Sequence, residues 1–328
     1  MSVFLGVDGG GTKTHAVVAD GAGTPLGVGV SGASNWEDVG LDGAVATVGA
    51  AVEEAFGQAN LGPSDATAAV FGLAGLDWES DRRRLAIVPE SLGLACEWLT
   101  VNDSFVALRA GANHPWGIVV IAGTGAVAAG RDPDGQEFRT LGLGPVYGDY
   151  GSASEIGEAA MRAVAEWFIG LGGATALTDA LCLHAGVDTA QELLERYSRS
   201  QEPLDPIARV VMKVADEGDP TARTIAERAG AGLGARAALV ARKLSMQQLP
   251  VEVVLAGGVF RSANRALMAA FEMELRRTVP RAAVSRLEVP PVVGAVLRAM
   301  ELVGVEPPGA VHLHLSLEVI KHLGYEFA

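Results

Sequence analysis

Apolar positions along the chain follow two rhythms. Residues 3–7 and 14–19 are short β-type runs separated by Gly9-Gly10-Gly11-Thr12-Lys13, and the Gly21-Ala22-Gly23 turn allows a third strand after them. Runs joined by a tight glycine-rich link predict hairpins, so the chain opens as a β-meander. Over 41–56 the period changes, and Val45, Val48, Val52 and Phe56 recur at helical spacing. A strand at 68–73, a helix from about Ser80, a strand over 96–101 and a helix opening at Asp103 complete the first half.

The same order returns at mid-chain. Residues 117–122 are apolar, Gly123-Thr124-Gly125 turns, 126–129 are apolar, and Asp132-Pro133-Asp134-Gly135 turns again, which predicts an internal duplication. Ser152 with Glu155 predicts a capping box for a helix whose Ile156, Ala160, Val164 and Trp167 share a face. A long helix from Asp219-Pro220 to about Lys243, a strand over 251–256 and a helix from about Ala263 follow. A meander, then parallel strands with crossover helices, occurring twice, predicts an α/β protein of two mixed sheets facing a central cleft. Gly, Asn, His and Pro interrupt the pattern at 111–115, giving expected domains of 1–112 and 113–328.

Length supports two cores, because 328 residues exceed the usual size of one. With 49% hydrophobic and 20% charged residues, disorder is excluded as a class. The formal charge of -14 would repel a phosphate backbone, which argues against a nucleic-acid partner. The Arg82-Arg83-Arg84 triplet is read as a solvated helix face. Cys96 and Cys182 have no partner at metal-ligand spacing, which fits a reducing compartment without structural zinc. The opening residues lack a basic leader region and meet Asp8 early, so neither a targeting nor a membrane segment is expected, and the cytoplasm is the expected location.

The candidate chemistry lies at strand ends. Asp8 closes the first strand, and the glycines after it leave backbone N–H groups open to a phosphate, with Thr12 and Lys13 adding a hydroxyl and a cation. The loop leads into a strand, so it is neither a P-loop nor a dinucleotide fingerprint, and a plain hairpin turn is the alternative. Gly123-Thr124-Gly125 and Gly257-Gly258 repeat the feature, and three such turns are a less probable coincidence than one. Asp103 opens a helix and is either its N-cap or a functional carboxylate; Asp149 carries the corresponding choice as a turn residue. Among the tail residues, His312 and His314 are read as part of an exposed strand, since two ligands do not make a metal site.

Gly6-Val7-Asp8-Gly9-Gly10-Gly11-Thr12-Lys13-Thr14, Gly72-Leu73-Ala74-Gly75, Asn102-Asp103-Ser104, Ile121-Ala122-Gly123-Thr124-Gly125, Gly148-Asp149-Tyr150-Gly151-Ser152 and Ala256-Gly257-Gly258-Val259 resemble, in order, the motifs of the N-acetylglucosamine kinase and BadF/BadG/BcrA/BcrD ATPase family. The resemblance runs from residue 3 to about 303, with 290–295 similar to the family's closing helix. It implies two ribonuclease H-like domains of the actin-like ATPase, sugar-kinase fold. It also implies ATP and Mg2+ as cofactors, a small sugar as substrate and a homodimer. By this resemblance Gly10, Gly11, Thr12, Lys13, Gly123, Thr124 and Gly125 hold phosphate, and Asp8 lies by the magnesium ion. Gly230, Gly257, Gly258 and Val259 line the adenosine pocket. Asn35, Gly75, Asp103, Gly144 and Asp149 bind the sugar, with Asp103 as catalytic base toward a 6-hydroxyl. Leu143-Gly144-Pro145 and Asp149-Tyr150 stand where the family carries Trp-Gly and an acidic residue, which leaves the group at C2 unspecified. The alternatives are an ATPase activator of a CoA-ester dehydratase or reductase and a non-catalytic sugar sensor. Neither cysteine stands in the activators' cysteine motifs, and no helix-turn-helix segment precedes Val3.

Overall fold

The computed structural model describes residues 2–324. They form two units: one runs to Gly117 and resumes from Leu287, with the short turn Pro133–Gly135, and the other comprises Ile118–Asp132 and Gln136–Arg286.

In the first unit β1 (Val3–Gly9), β2 (Thr14–Asp20) and β3 (Pro25–Ser31) form the expected meander, and β1 pairs antiparallel with β2 from Val3↔Asp20 to Gly9↔Thr14. Helix α1 (Trp36–Ala59) starts before residue 41 because Asn35 caps it; Gly40, with φ 74°, then kinks the chain, and Val48, Ala51, Val52, Ala55 and Phe56 are buried. Then come β4 (Ala68–Leu73), α2 (Glu79–Leu85), α3 (Ile87–Glu90), β5 (Glu97–Asn102) and α4 (Asp103–Gly111). The sheet order is β3-β2-β1-β4-β5, with β1, β4 and β5 parallel. The arginine triplet on α2 is more than a solvated face: Arg82 donates to Thr100 O at 2.8 Å, and Arg84 lies 5.4 Å over the Trp36 ring.

The second unit holds β6 (Gly117–Ala122), β7 (Ala126–Arg131), β8 (Glu137–Arg139), α5 (Ala153–Phe168), α6 (Leu177–Ala185), α7 (Ala190–Arg199), α8 (Ile207–Asp216), α9 (Pro220–Lys243), β9 (Glu252–Ala256), α10 (Gly258–Arg261), α11 (Arg265–Thr278) and β10 (Ala283–Arg286). Its sheet order, β8-β7-β6-β9-β10, repeats that of the first, so the duplication seen in the glycine turns is also a duplication of topology. Asp219 caps α9, and Ser152 caps α5 by accepting from Glu155 N at 3.1 Å. On α5, Ile156, Ala160 and Val164 are buried, whereas Trp167, in the last turn where the sheltered face runs out, is 37% exposed.

The last elements among the described residues are α12 (Val292–Leu302) and α13 (Gly309–Leu323). Both lie in the first unit, although the sequence grouped everything from 113 onward together. The cause is close backbone packing. A Cβ on Gly6 of β1 would lie 2.5 Å from Val296 N, one on Gly294 would overlap Val106 O of α4, and one on Gly72 of β4 would overlap the Val106 side chain. Helix α13 replaces the strand expected around the tail histidines. Residues two apart on a helix point about 200° apart; accordingly His312 Nε2 lies 2.9 Å from Ala110 O, and His314 Nε2 lies 3.5 Å from Thr24 Oγ1. Among the described residues no group of three or more His, Cys, Asp or Glu could hold a metal, and no helix is long and apolar enough to cross a membrane.

Two glycine substitutions separate packing from propensity. Gly294→Ala should destabilise the protein by about 1–3 kcal/mol, through overpacking against α4. Gly57→Ala, on α1 with open space around it, should stabilise it by about 0.5–1 kcal/mol. Urea unfolding midpoints at constant m-value measure both.

Candidate functional site

Parallel pairing brings the carboxyl ends of β1, β4 and β5 level, with Gly9 opposite Leu73 and Leu73 opposite Asn102. Ligands of open α/β sheets bind at such an edge. The cap of α4 is Asn102, whose Oδ1 accepts from Ser104 N at 3.1 Å, so the N-cap reading of Asp103 passes to its neighbour. Asp103 is the first helical residue of α4, and the charge of its carboxylate bears on the nearby Asp8. Asp8 is only half-buried by exposed area, but protein atoms surround its carboxyl densely, and that surrounding governs its desolvation. Desolvation first, and the like charge of Asp103 second, push its pKa up to about 8.

The loop after β1 is held at its base, where Gly10 N donates to Lys13 O and Gly10 O accepts from Ser34 N, each at 3.0 Å. Gly11, Thr12 and Lys13 are exposed. Asn35 and Gly75 are brought together: Trp36 Nε1 donates to Gly75 O at 2.7 Å, and a Cβ on Gly75 would overlap Asn35 Oδ1. Gly75 has φ 74°, which its lack of a side chain permits. The Asn35 amide donates to Asp38 Oδ2 at 2.9 Å while its oxygen caps α1. Trp36, absent from the expected site, is the clamp that joins these two segments; an aromatic donor directly after a helix cap was the available signal.

In the second unit β6 and β9 are parallel, with Ile121 opposite Ala256, so two glycine turns lie at one edge. Gly123 N donates to Gly125 O at 2.9 Å, and Gly123 O accepts from Ala153 N at 2.8 Å, which seats the turn on the start of α5. Thr124 is exposed and its Oγ1 donates to Asp205 Oδ2 at 3.3 Å. Gly258 is exposed with open space around it. The other residues expected at the adenosine pocket have packing roles as well. Gly257, with φ 96°, packs against the Ala122 backbone, Val259 is buried in the core, and Gly230 abuts Leu267 O, where α9 crosses α11. Asp149 is fully buried, and both of its oxygens are engaged within the protein. Gly144 N donates to Oδ2 at 2.7 Å, and Arg236 Nη2 donates to Oδ1 at 3.1 Å. Gly144 itself has φ 100° and open space around it. Cys96 lies in the first unit and Cys182 is buried in the second.

A family model described as the BadF/BadG/BcrA/BcrD ATPase family matches residues 5–299. The chain belongs to this ATPase family. Membership makes it an ATP-using protein. Within the curated proteins, an N-acetylmuramic acid/N-acetylglucosamine kinase of Clostridium acetobutylicum is 28% identical, covering 91% of this chain and 98% of the relative. An N-acetyl-D-glucosamine kinase of Dictyostelium discoideum is 27% identical with the same coverage. Among solved structures, a candidate N-acetylglucosamine kinase of Chromobacterium violaceum is 26% identical, with a TM-score of 0.67 over 90% of this chain and 98% of that one. A ROK family glucokinase of Streptomyces griseus shares the fold at 19% identity, with a TM-score of 0.55 over 92% of this chain and 100% of that one. The two repeated sheets are thus those of the sugar-kinase, actin-like ATPase fold.

The raised pKa of Asp8 makes stability depend on pH in a defined direction. Between the ordinary value of 3.8 and about 8 the folded protein keeps a proton that the unfolded chain has released. Stability contributed by this group therefore falls as pH rises through that window and changes no further above it. Asp8→Asn removes the effect, so the variant should match the parent near pH 4 and be increasingly the more stable toward pH 9. Urea melts of both proteins at pH 5, 7 and 9 test this; a difference that is constant with pH would contradict it.

Proposed function

We propose that the protein is an ATP-dependent kinase of a hexose or amino sugar, of the N-acetylglucosamine type, acting at a primary hydroxyl. The observation that carries this reading is the pair of carboxylates at the carboxyl edge of the first sheet, Asp103 at the start of α4 and Asp8 beside it at the end of β1. Asp103 accepts the proton of the sugar hydroxyl as its oxygen attacks the γ-phosphorus and the bond to the β–γ bridging oxygen of ATP breaks. Asn35 and Gly75, joined through Trp36, orient the acceptor. In the first unit the exposed Gly11–Lys13 segment offers N–H groups to a phosphate; in the second unit Thr124 and Gly125 do the same, and Gly258 leaves space for a nucleotide.

Asp8 fits a divalent cation, because a desolvated carboxylate beside a second like charge gains from a cation more than an exposed one does. A Mg2+ ion held there would neutralise charge on the phosphate oxygens. The sugar assignment is supported by the names of the curated relatives, both of which are N-acetylglucosamine kinases over nearly the whole chain. Dependence on ATP fits the cytoplasm as the place of the reaction.

Asp103→Asn should leave KM for ATP and for sugar within a few-fold and lower kcat by roughly 10²- to 10⁴-fold, the usual range for a lost general base. Because Asn102 caps the helix, the melting temperature should hardly change. A coupled ADP-release assay over a panel of hexoses and amino sugars measures this and identifies the acceptor. Unchanged turnover would remove Asp103 from the mechanism, and a panel in which no sugar stimulates ADP release would remove the sugar.

A further inference from the structure

Arg236 stands mid-way along α9, and nothing in the sequence pattern marks it. Its side chain is 13% exposed, yet its guanidinium reaches three separate segments of the second unit. Nη1 donates to Ala126 O at 3.2 Å, to Thr140 Oγ1 at 3.3 Å and to Leu141 O at 3.1 Å. Nη2 donates to Gly148 O and, at 3.1 Å, to Asp149 Oδ1. Ala126 directly follows the Gly123–Gly125 turn, while Leu141 and Asp149 bracket the loop between β8 and α5.

Within that loop regular structure is limited to a single 3-10 turn, Pro145–Tyr147, closed by bonds from Tyr147 N to Gly144 O and from Gly148 N to Pro145 O, each at 3.0 Å. Gly144, Gly148 and Gly151 have φ of 100°, 85° and 87°, conformations that glycine alone adopts readily. On this backbone Val146 is 92% and Tyr147 67% exposed, while Tyr150 packs its Cβ over Gly232 of α9. Exposed apolar and aromatic side chains on an otherwise anchored loop suit the C–H faces of a polyhydroxylated ring, with the hydroxyls left to polar groups. Asp149 also lies beside the neighbouring turn, since a Cβ on Gly125 would lie 3.7 Å from its Oδ2.

We infer that Arg236 is a positioning residue that presets the 141–150 loop, through Asp149 and the Gly148 carbonyl, as the element that recognises the acceptor; the acceptor part rests on the kinase reading above. A guanidinium spreads five donors over a planar fork and so spans acceptors on three segments, whereas an ammonium concentrates three donors on one atom and cannot reach all of them. Arg236→Lys thus keeps the positive charge beside Asp149 but releases most of the loop.

The test has two arms on the full-length protein. In hydrogen exchange, Arg236→Lys should speed exchange over 141–151 by about tenfold or more while α9 and β9 keep the parent rates. In initial-rate assays with N-acetylglucosamine and ATP, the sugar KM should rise about tenfold or more, with kcat and the ATP KM within threefold. Unchanged exchange in the loop, or equally faster exchange in α9, would overturn the inference. Sugar KM, ATP KM and kcat failing in step would overturn it as well, because that is the signature of a merely structural residue. If no sugar is phosphorylated by the parent protein, the kinase reading fails, while the exchange arm still decides whether Arg236 sets the loop. Asp149→Asn keeps the volume and one acceptor oxygen, and provides a second variant expected to loosen the same loop to a smaller extent.

Discussion

Close contact between backbones in the first unit is the constraint on which the rest of its chemistry depends. Gly6, Gly72 and Gly294 have no side chains, so β1, β4, α4 and α12 approach one another more closely than a Cβ would allow. That approach fixes α4 against the sheet and brings Asp103, its first residue, to the edge where β1 ends in Asp8 and Gly9. Burial first, and the like charge of Asp103 second, drive Asp8 toward its neutral form. A cation bound beside the two carboxylates would relieve their repulsion.

The second unit applies the same topology to different ends. Its two parallel strands also finish in glycine turns, but their neighbours divide into glycines that serve packing and glycines that leave space. Gly257 and Gly230 are required by the Ala122 and Leu267 backbones, whereas Gly123 and Gly258 meet nothing nearby. A glycine in a motif is therefore ambiguous until its surroundings are seen. Polar organisation here comes from Arg236 and Asp149, a pair drawn from a helix interior and a turn that are 87 residues apart in the chain.

Much of the fold was legible because it is periodic and repeated. The two meanders, the strands at 68–73 and 117–122 and the long helix capped at Asp219 follow from spacing and punctuation alone. The return of α12 and α13 to the first unit was not legible, because glycine-backbone contacts between β1, α4 and α12 join residues far apart in sequence. The tail helix was missed since His312, His314 and the leucines around them read as alternation over a short window. Within the candidate site, single acidic residues at strand ends could be named, but not whether each faces a ligand. Asn102, rather than Asp103, takes the cap, and Asp149 is claimed by Arg236, and both outcomes are decided by partners that local sequence does not identify.

Phosphorus NMR of the reaction with Mg-ATP and N-acetylglucosamine addresses the central claim most directly. Transfer to the sugar predicts a new phosphomonoester resonance, coupled to the protons at C6 and growing in step with ADP. Release of ADP with inorganic phosphate and no phosphomonoester, whichever sugar is supplied, would contradict it.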